Sequence, residues 1–437
     1  MAMGLHAQTE TASATQTGTL DLTLEQAIEI ALAENPTIRV ADKEIELKKI
    51  ADQEAWQALL PEVSATGSLS HTLMAAEMKF NMGGNVTKVK MGRDNTNTVA
   101  AGATLNLPLF APAIYQNMKL TKEDIKVARE QARGSRLDLV NQVTKAYYST
   151  LLAQDAAKVM DESYKISKDS FDVVNAKFQQ GKVSEYDKIS AEVQMRSMHS
   201  SLVSAQTGLT LACLQLKVLM GVTENIGITI NDKLENYEST LALPKEETTL
   251  LENNSALRQF DLNKALLERT LKLQRTNFMP TLAFQLTGQY QSLYNENWQL
   301  WNYDYSPSAS FALALTIPIF RASNWTGLRK TKLQLAELDD QRIDTERKLN
   351  MAAESYRQNM ASTIAQVSSN NEAVRQAAKA VTISEKRYEV GRGTILELNQ
   401  SQVALTQAKL TYDQSIYDYL TNRADLDYTL GKETYLK

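Results

Sequence analysis

Few side chains in this sequence could take part in catalysis. The three histidines, His6, His71 and His199, lie far apart, and no acid or nucleophile accompanies them in a known catalytic pattern. Neither a phosphate-binding loop nor a GxGxxG turn occurs. The Asp and Glu residues are abundant but spread out, as on the solvated faces of helices. The sequence therefore predicts a protein that is not an enzyme and that needs no cofactor.

One segment carries side chains that suit a soft metal ion. Four methionines follow His71 in a polar stretch: Met74, Met78, Met82 and Met91. Thioether and imidazole groups bind Cu(I) well. The stretch contains no cysteine and is expected to be a loop, so ordinary use of methionine is favoured and no metal site is predicted.

The chain has a single cysteine, Cys213, which excludes an internal disulfide framework and any metal motif built on two cysteines. Its neighbours Leu211, Ala212 and Leu214 are apolar, so Cys213 is expected to be a small buried hydrophobe. No run of eighteen apolar residues occurs, and no transmembrane helix is predicted. The longest uncharged run, Ser197–Leu216, is interpreted as a buried helix seam.

Composition bounds the class of protein. Of the 437 residues, 22% are charged, the net charge is −4, and only 8 are prolines and 17 glycines. This balance suits long helices and gives no electrostatic reason to expect a nucleic-acid partner. Residues 1–21, rich in Ser, Thr, Gln and Ala, are predicted to be a disordered N-terminus or the remnant of an export signal.

Two pairs of long strands are predicted, at about 63–73 and 98–108, and at about 281–291 and 308–318. In the second pair, apolar and polar residues alternate over about ten residues, as in a strand with one apolar face and one solvent-exposed polar face. Strands of roughly 9–11 residues with such faces are typical of outer-membrane barrels. Six aromatic residues at the loop between them are predicted to form a membrane collar: Tyr290, Tyr294, Trp298, Trp301, Tyr303 and Tyr305.

Long helices follow each pair of strands, at about 111–180 and 184–220, and at about 322–390 and 394–430. About 70 residues at 1.5 Å each make a rod of roughly 105 Å. Gly181 and Gly391 end the first rod of each pair and are expected to allow the left-handed turn there.

Several short motifs of the first half of the sequence recur in the second half at a constant distance along the chain. Residues 107–110 match 317–320, residues 177–181 match 387–391, and Gly221 matches Gly431, each 210 residues later. This constancy argues for duplication. We therefore predict repeats at 22–234 and 249–437, joined by a linker at 235–248.

Four strands of one chain leave unpaired edges, which lipid does not tolerate. Other copies of the chain must close the sheet, and three copies would give twelve strands.

From Leu22 to Gly431, the sequence resembles the TolC family of outer-membrane channels. The resemblance rests on two strand ends, Leu107-Pro108-Leu109-Phe110 and Ile317-Pro318-Ile319-Phe320, and on the run from Tyr388 to Ser401. That run is similar to the family's Tyr-x-x-Gly-x-x-(Ser/Thr)-Ile-x-(Asp/Glu)-(Val/Leu) helix-turn-helix tip.

The resemblance implies an α+β membrane protein, internally duplicated, in which long antiparallel helices form a trimeric α-barrel and four transmembrane strands per chain contribute to a 12-stranded β-barrel. It implies an exit duct of a tripartite efflux pump or type I secretion system in the bacterial outer membrane, with its helical part in the periplasm. The implied partners are two further copies of the chain, a periplasmic adaptor, outer-membrane lipid and, indirectly, an inner-membrane pump. Short helices near 22–34 and 223–250, with the tail, would form a belt.

Family site residues carry over by motif. Glu397, Asp187 and Gln400 would lie at the pore constriction, where acidic rings favour cations. Gln400 stands where the family often has a second acid, which leaves a double ring open. Otherwise Glu397 is a solvated charge that assists a helix N-terminus. The helix tips would dock on the adaptor through Gly181, Lys182, Val183, Val390, Gly391 and Arg392.

In some family members a Tyr and an Arg near the second turn bond to an Asp near the first and hold the entrance shut. Tyr388 and Asp187 fit this gate link, whereas Gly393 occupies the expected arginine position and Arg392 is displaced by one. The other interpretation is that Tyr388 packs on its own helical turn and Arg392 is an ordinary surface residue.

A function from another class also fits the helices. The chain could be a periplasmic coiled-coil adaptor or a structural scaffold without a pore, whose strands form a soluble domain. Adaptors usually have one helical hairpin, whereas this sequence predicts two equivalent hairpins and ten-residue strands. These features favour the duct.

Overall fold

The computed structural model of the chain describes residues 19–82, 85–222, 227–243 and 251–433. The α-helices among them are α1 (Leu24–Glu34), α2 (Pro36–Gln57), α3 (Pro112–Gln179), α4 (Glu185–Met220), α5 (Ser255–Thr276), α6 (Ala322–Glu389) and α7 (Ile395–Thr429). The β-strands are β1 (Thr19–Asp21), β2 (Glu62–Thr72), β3 (Ala76–Met82), β4 (Asn85–Met91), β5 (Thr96–Phe110), β6 (Gly227–Thr229), β7 (Thr281–Asn295) and β8 (Ser306–Thr316). Short 3₁₀ segments lie at Leu234–Thr240, Leu251–Asn253 and Leu300–Asn302.

The long helices α3, α4, α6 and α7 begin and end within one residue of the expected positions. Helices α3 and α6 each contain 68 residues, which corresponds to roughly 100 Å at 1.5 Å per residue. Pro112 occupies the first position of α3, where the missing N–H would have no partner in the helix. Neither helix contains a proline in its interior, so nothing in the sequence interrupts the hydrogen-bond ladder.

The predicted N-terminal and belt segments are described only in part. Residues 1–18 of the expected disordered segment lie outside the described residues, whereas Thr19–Asp21 form β1, which pairs in parallel with β6. A three-residue strand has no periodic pattern, which is why the sequence placed it in the disordered segment. Of the belt at 223–250, residues 227–243 are described, and they hold β6 and the 3₁₀ segment Leu234–Thr240.

The long strands form one antiparallel sheet in the order β2-β5-β7-β8. Directly paired residues project on the same face, and the register joins Val63 to Leu105, Leu105 to Leu286, and Leu286 to Phe311. The neighbouring row of paired residues, which projects on the other face, is polar in all four strands: Ser64, Thr104, Thr287 and Ser310. The alternation read in single strands therefore adds up to one apolar and one polar face across the sheet.

The outer strands β2 and β8 each pair on one side only in the described part of the chain. On β8, Phe311, Leu313 and Leu315 are 62–74% exposed, so the apolar face is also uncovered in a single chain. Unpaired strand edges and a bare apolar face are unstable in water. Both require further partners.

Strands β3 and β4 form an antiparallel hairpin inside the segment that the sequence interpreted as a polar loop. That interpretation was wrong. The Gly83-Gly84 pair at its centre lies outside the described residues, but two glycines between short runs containing Val, Phe and Met are a hairpin signal. The sequence of β3 does alternate, with Glu77 and Lys79 on either side of Met78, so the signal was available and was overlooked.

The chain divides into two compact units, each built from both sequence repeats. Unit 1 comprises Met1–Glu44, Arg129–Phe260 and Gln341–Lys437, and unit 2 comprises Ile45–Ala128 and Asp261–Asp340. Unit 2 contains the four-stranded sheet. Unit 1 holds the main apolar core, whose fully buried side chains include Tyr147, Leu216, Leu234, Ile416 and Tyr419.

The uncharged run of α4 does not form a buried seam within the chain, contrary to expectation. Val203 and Leu211 are 49% and 61% exposed, and Cys213 is only half-buried. By length and composition α4 could cross a membrane, with a mean hydropathy of 1.3 over its most apolar window. The sequence showed that the run is weakly apolar, but it could not show whether the same chain covers it.

Candidate functional site

The candidate site is the tip of unit 1, which we define as residues 177–187 and 387–397, where α3 meets α4 and α6 meets α7. Gly181 and Gly391 adopt left-handed φ angles of 69° and 72°. In the first turn, Lys182 N donates to Lys177 O (3.0 Å) and Gly181 N donates to Phe178 O (2.8 Å). The second turn repeats both bonds between the equivalent residues, so both helices end in the same Schellman motif.

A Cβ atom added at either Gly181 or Gly391 would meet nothing within 4 Å. The glycines are therefore required by the backbone conformation and not by close packing. The tip surface around them is open: Lys182 and Arg392 are exposed, Val390 is 70% exposed, and Val183 is half-buried.

Each returning helix begins with a hydroxyl cap. Ser184 Oγ accepts from Asp187 N (3.2 Å), and Thr394 Oγ1 accepts from Glu397 N (3.2 Å). Asp187 and Glu397 thus occupy the same capping position in the two repeats. The caps satisfy donors that the helix cannot satisfy itself.

The two acids differ in what their carboxylates bind. Asp187 Oδ2 accepts from Ser184 N (3.1 Å) and closes a capping box. Glu397 Oε2 instead lies 3.5 Å from Arg387 Nη1. Both partners of this ion pair are about half exposed, so it contributes little to stability.

Gln400, the third residue predicted for the constriction, is exposed one turn beyond Glu397. It lines a shallow groove between α4 and α7 that also contains Tyr186, Ile189 and Val193. Within one chain, the three predicted constriction residues, all of which the structure describes, make no hydrogen bond or ion pair with one another.

A small apolar core holds the four helix ends of the tip together. Val174 of α3, Ala191 of α4, and Ile395 and Leu398 of α7 are buried in it, and Phe171, Val183 and Tyr388 pack against it. Because every long helix that meets at the tip contributes, the tip is a packed unit and not two independent turns.

The predicted gate link is not formed within the chain. Tyr388 Oη is buried without a hydrogen-bond partner, and Asp187 is engaged in its capping box. Burial, with the negative charge of Asp187, raises the pKa of Tyr388. Arg392 is exposed at the surface, and the arginine that forms an ion pair here is Arg387.

Besides the apolar core, a lysine placed over an aromatic ring joins α3 to α6. Lys177 Nζ lies 4.7 Å from the centre of the Tyr388 ring. Within the first repeat, Lys188 Nζ of α4 lies 5.1 Å from the centre of the ring of Phe178, the residue equivalent to Tyr388. A cation placed in this way is worth about 0.5–1 kcal/mol at exposed sites.

This geometry predicts a difference between two substitutions. Tyr388→Phe removes only an unpartnered hydroxyl and should change the unfolding free energy by less than about 0.5 kcal/mol. Lys177→Met should cost about 0.5–1 kcal/mol, because the cation over the ring is lost. Thermal unfolding of the solubilised protein measures both. A larger loss for Tyr388→Phe than for Lys177→Met would mean that the hydroxyl holds a bond, as the gate link requires.

The predicted aromatic collar lies in unit 2. Trp301 is 95% exposed, and Tyr290 and Trp298 are exposed by 60% and 62%. Tyr294 and Tyr305 are also exposed. Tyr303 departs from the prediction: it is 7% exposed, and its hydroxyl donates to Asn297 O.

Tyr303 belongs to a polar network at the loop end of the sheet. Asn97, 1% exposed, donates from Nδ2 to Asn297 O (2.7 Å) and to Tyr303 Oη (3.2 Å). Its Oδ1 lies 2.8 Å from His71 Nδ1, and the His71 ring stacks on Trp298 at 5.3 Å. His71 is thus used in packing. Among the described residues no group of three or more His, Cys, Asp or Glu side chains could hold a metal ion.

Sequence reasoning missed Lys177 and Arg387 as site residues. They are equivalent positions in the two repeats, 210 residues apart, so the duplication was the available signal. It could not reveal that Lys177 contacts the ring of the other repeat while Arg387 pairs with an acid of its own repeat.

A family model described as "Outer membrane efflux protein" matches residues 27–222 and 248–432. The match includes both tips and both long helical hairpins. It also weighs against the adaptor or scaffold interpretation.

Among curated proteins, the chain is 22% identical to the outer membrane protein TolC of Escherichia coli K12, over 93% of this chain and 82% of that protein. The solved structure of CusC shares the fold with a TM-score of 0.74 at 17% identity, and 95% of this chain and 93% of that one are covered. The open state of the Neisseria gonorrhoeae MtrE outer membrane channel gives a TM-score of 0.70 at 18% identity, with 98% and 97% covered.

Proposed function

The chain belongs to the outer membrane efflux protein family, and we propose that three copies of it form the exit duct of a tripartite efflux pump or type I secretion system. The family match identifies the chain as an efflux channel protein of the outer membrane. The trimer, the adaptor and the roles of individual residues are the proposal. Cargo passes through the duct passively, without an enzymatic step.

The observation that carries the trimer is the open four-stranded sheet. The free edges of β2 and β8 belong to strands long enough to span a bilayer at the tilt of a barrel. Pairing β8 of one copy with β2 of the next satisfies both edges, and three copies close twelve strands. The apolar face then contacts lipid, and the polar face lines the lumen.

The exposed aromatic residues of unit 2 support the same assignment. Tyr290, Tyr294, Trp298, Trp301 and Tyr305 are exposed around the loop between β7 and β8. Tyr and Trp favour the membrane interface, where the ring is apolar and its polar atom reaches water. We assign these five residues to the collar and Tyr303 to the packing of the loop.

The tip of unit 1 is the proposed periplasmic entrance. In a threefold assembly, Glu397 and Asp187 would contribute up to six carboxylates near the constriction, with Gln400 one turn further along α7. Such a ring favours cations. We propose that Lys177 over the Tyr388 ring holds the two hairpins of each copy together at rest, in the place of the Tyr388–Asp187–Arg392 link.

The same tip is the proposed docking surface for the periplasmic adaptor, which in turn joins the inner-membrane pump. Its docking residues are Gly181, Lys182, Val183, Val390, Gly391 and Arg392. Support comes from the exposure of all of them except the half-buried Val183, and from the open space where a Cβ would stand at the two glycines. A photo-cross-linking residue at Val390 should capture the adaptor, and the same residue at the distant exposed position Lys348 should not.

The mass of the detergent-solubilised particle tests the trimer. Each chain contributes 48.8 kDa, so the protein part should equal three times this value once bound detergent is subtracted. Extraction from the outer membrane should require detergent. Release by washing, or a stable monomer or dimer, would contradict the proposal.

A further inference from the structure

A polar cavity of about 350 Å³ lies in unit 1, well apart in sequence from the tip. It is bounded by α3, by the 3₁₀ segment Leu234–Thr240, by α6 and by α7. Charged and titratable groups face the cavity from three sides. Helix α3 contributes Asp155, Lys158 and Glu162, and α7 contributes Lys409, Tyr412 and Asp413. The 3₁₀ segment contributes Glu235 and Glu238, together with Lys233 just before it, whereas α6 contributes only the uncharged Asn371 and Val374.

Three hydrogen bonds and one buried side chain anchor the 3₁₀ segment in this cavity. Leu234 N donates to Asp155 Oδ2 at 3.2 Å. Glu238 receives a bond from Tyr412 Oη at 2.8 Å and another from Asn371 Nδ2 at 2.9 Å. The Leu234 side chain is fully buried in the main core. Three hydrogen bonds therefore attach the segment to α3, α6 and α7, in addition to its apolar packing against the main core.

Asp413 stands out in this arrangement because the residue is only 7% exposed, although its carboxyl makes no hydrogen bond or ion pair within the described part of the chain. The lysine nearest to it in sequence, Lys409, is bound to Glu162 at 2.9 Å. An ionised carboxylate without a partner is costly to bury. The carboxyl of Asp413 is consequently more stable as the neutral acid in the packed state, in which the segment Leu234–Thr240 lies against α3 and α7.

The surrounding charges act in the same direction. Burial, then the carboxylates of Asp155 and Glu235, raise the pKa of Asp413 from 3.8 to about 7, against a smaller opposite effect of Lys409 and Lys158. Burial also raises the pKa of Asp155. Both carboxyls lie where the 3₁₀ segment meets α3 and α7.

We propose that Asp413 is a proton-operated latch: when Asp413 is neutral, the segment Leu234–Thr240 stays packed against α3 and α7, and when Asp413 is ionised, its repulsion with Asp155 and Glu235 loosens the segment. All the groups involved belong to one chain, so the latch does not depend on the number of copies in the assembly. Loosening relieves the repulsion among Asp413, Asp155 and Glu235 by letting water reach them.

The direction of the pH effect follows from linkage. In the packed state the acid stays protonated up to about pH 7, whereas in the open state it ionises near its ordinary value of 3.8. The packed state of the segment is therefore favoured over the open state below about pH 4, and this stabilisation is lost progressively as the pH rises to about 7. Above that pH the opening equilibrium changes no further on account of Asp413.

Hydrogen–deuterium exchange of peptides covering residues 234–240 in the solubilised assembly tests the latch. The opening constant is the observed exchange rate divided by the intrinsic rate at each pH. In the wild-type protein it should rise at least about tenfold between pH 5 and pH 8. In Asp413→Asn, which keeps the size but cannot ionise, it should change by less than about twofold.

Two further variants keep the test decisive. Asp418→Asn removes a carboxylate of the same helix, bound to Gln414 at 2.8 Å, and should leave the wild-type pH dependence intact. Glu235→Gln, at an exposed position, should reduce the rise because one repelling charge is lost. An equal pH dependence in wild type, Asp413→Asn and Glu235→Gln would overturn the proposal, whatever the stability of any one variant.

Discussion

Replacing Gly431 with alanine is expected to destabilise unit 1 by about 2–5 kcal/mol. Gly431 adopts a φ of 65°, which an L side chain tolerates at about 1–2 kcal/mol. In addition, an added Cβ would lie 2.6 Å from the carbonyl carbon of Asn253 and closer still to its oxygen. Overpacking of this kind typically adds about 1–3 kcal/mol. The measurement is the thermal unfolding midpoint of the solubilised protein, at one scan rate.

Gly391→Ala is the matched control. Its φ of 72° is nearly the same, but an added Cβ would meet nothing within 4 Å. It should therefore show the backbone cost of about 1–2 kcal/mol alone. Equal effects at the two positions would mean that the approach of Asn253 to Gly431 is not as close as the structure has it.

Replacing Glu397 with glutamine is expected to lower the cation preference of the channel severalfold. The change keeps the size of the side chain and removes the carboxylate, three of which would lie at the proposed constriction. Arg387→Gln should act in the opposite direction, because it frees Glu397 from a cation 3.5 Å away. Reversal potentials in planar bilayers under a salt gradient give the permeability ratio for each variant.

Glu372→Gln is the control for this pair. Glu372 is also half-exposed and also forms an ion pair with an arginine, Arg375, but outside the tip, further back along α6. It should leave selectivity unchanged. A permeability ratio that is the same in Glu397→Gln, Arg387→Gln and wild type would reject the acidic ring.

The elements were predictable where the chain repeats a pattern over many residues. The alternation in β7 and β8 and the proline-free runs of α3 and α6 each extend over ten residues or more, so chance matches are rare. The glycine turns were predictable because a left-handed φ needs a residue without a Cβ. The fold class and the efflux function followed from these elements together with the family's motifs.

Contacts between side chains were harder to anticipate. Asp187 and Glu397 are equivalent by sequence, yet one closes a capping box and the other pairs with Arg387. Tyr303 was grouped with the exposed aromatics, although it is buried and its hydroxyl accepts a hydrogen bond from Asn97, some 200 residues earlier. Such outcomes depend on how helices and loops are rotated against one another, which local patterns do not specify.

The latch residue Asp413 illustrates the same limit. Its neighbours in sequence, Tyr412 and Ser415, suggest an ordinary amphipathic helix, and Asp413 reads as a solvated charge. Only the packing of α3 and the segment Leu234–Thr240 against α7 brings Asp155 and Glu235 to it. Burial of a carboxyl is a tertiary property.

Single-channel recording of the purified particle in planar bilayers tests the central claim most directly. In the proposed trimer, three open sheets would close into a barrel and leave a water-filled path along the assembled helices, so wild-type protein should give discrete, uniform steps of ion current. The particle that conducts should be the one whose protein mass is three times 48.8 kDa. A folded particle of any mass that inserts without conducting would contradict the account.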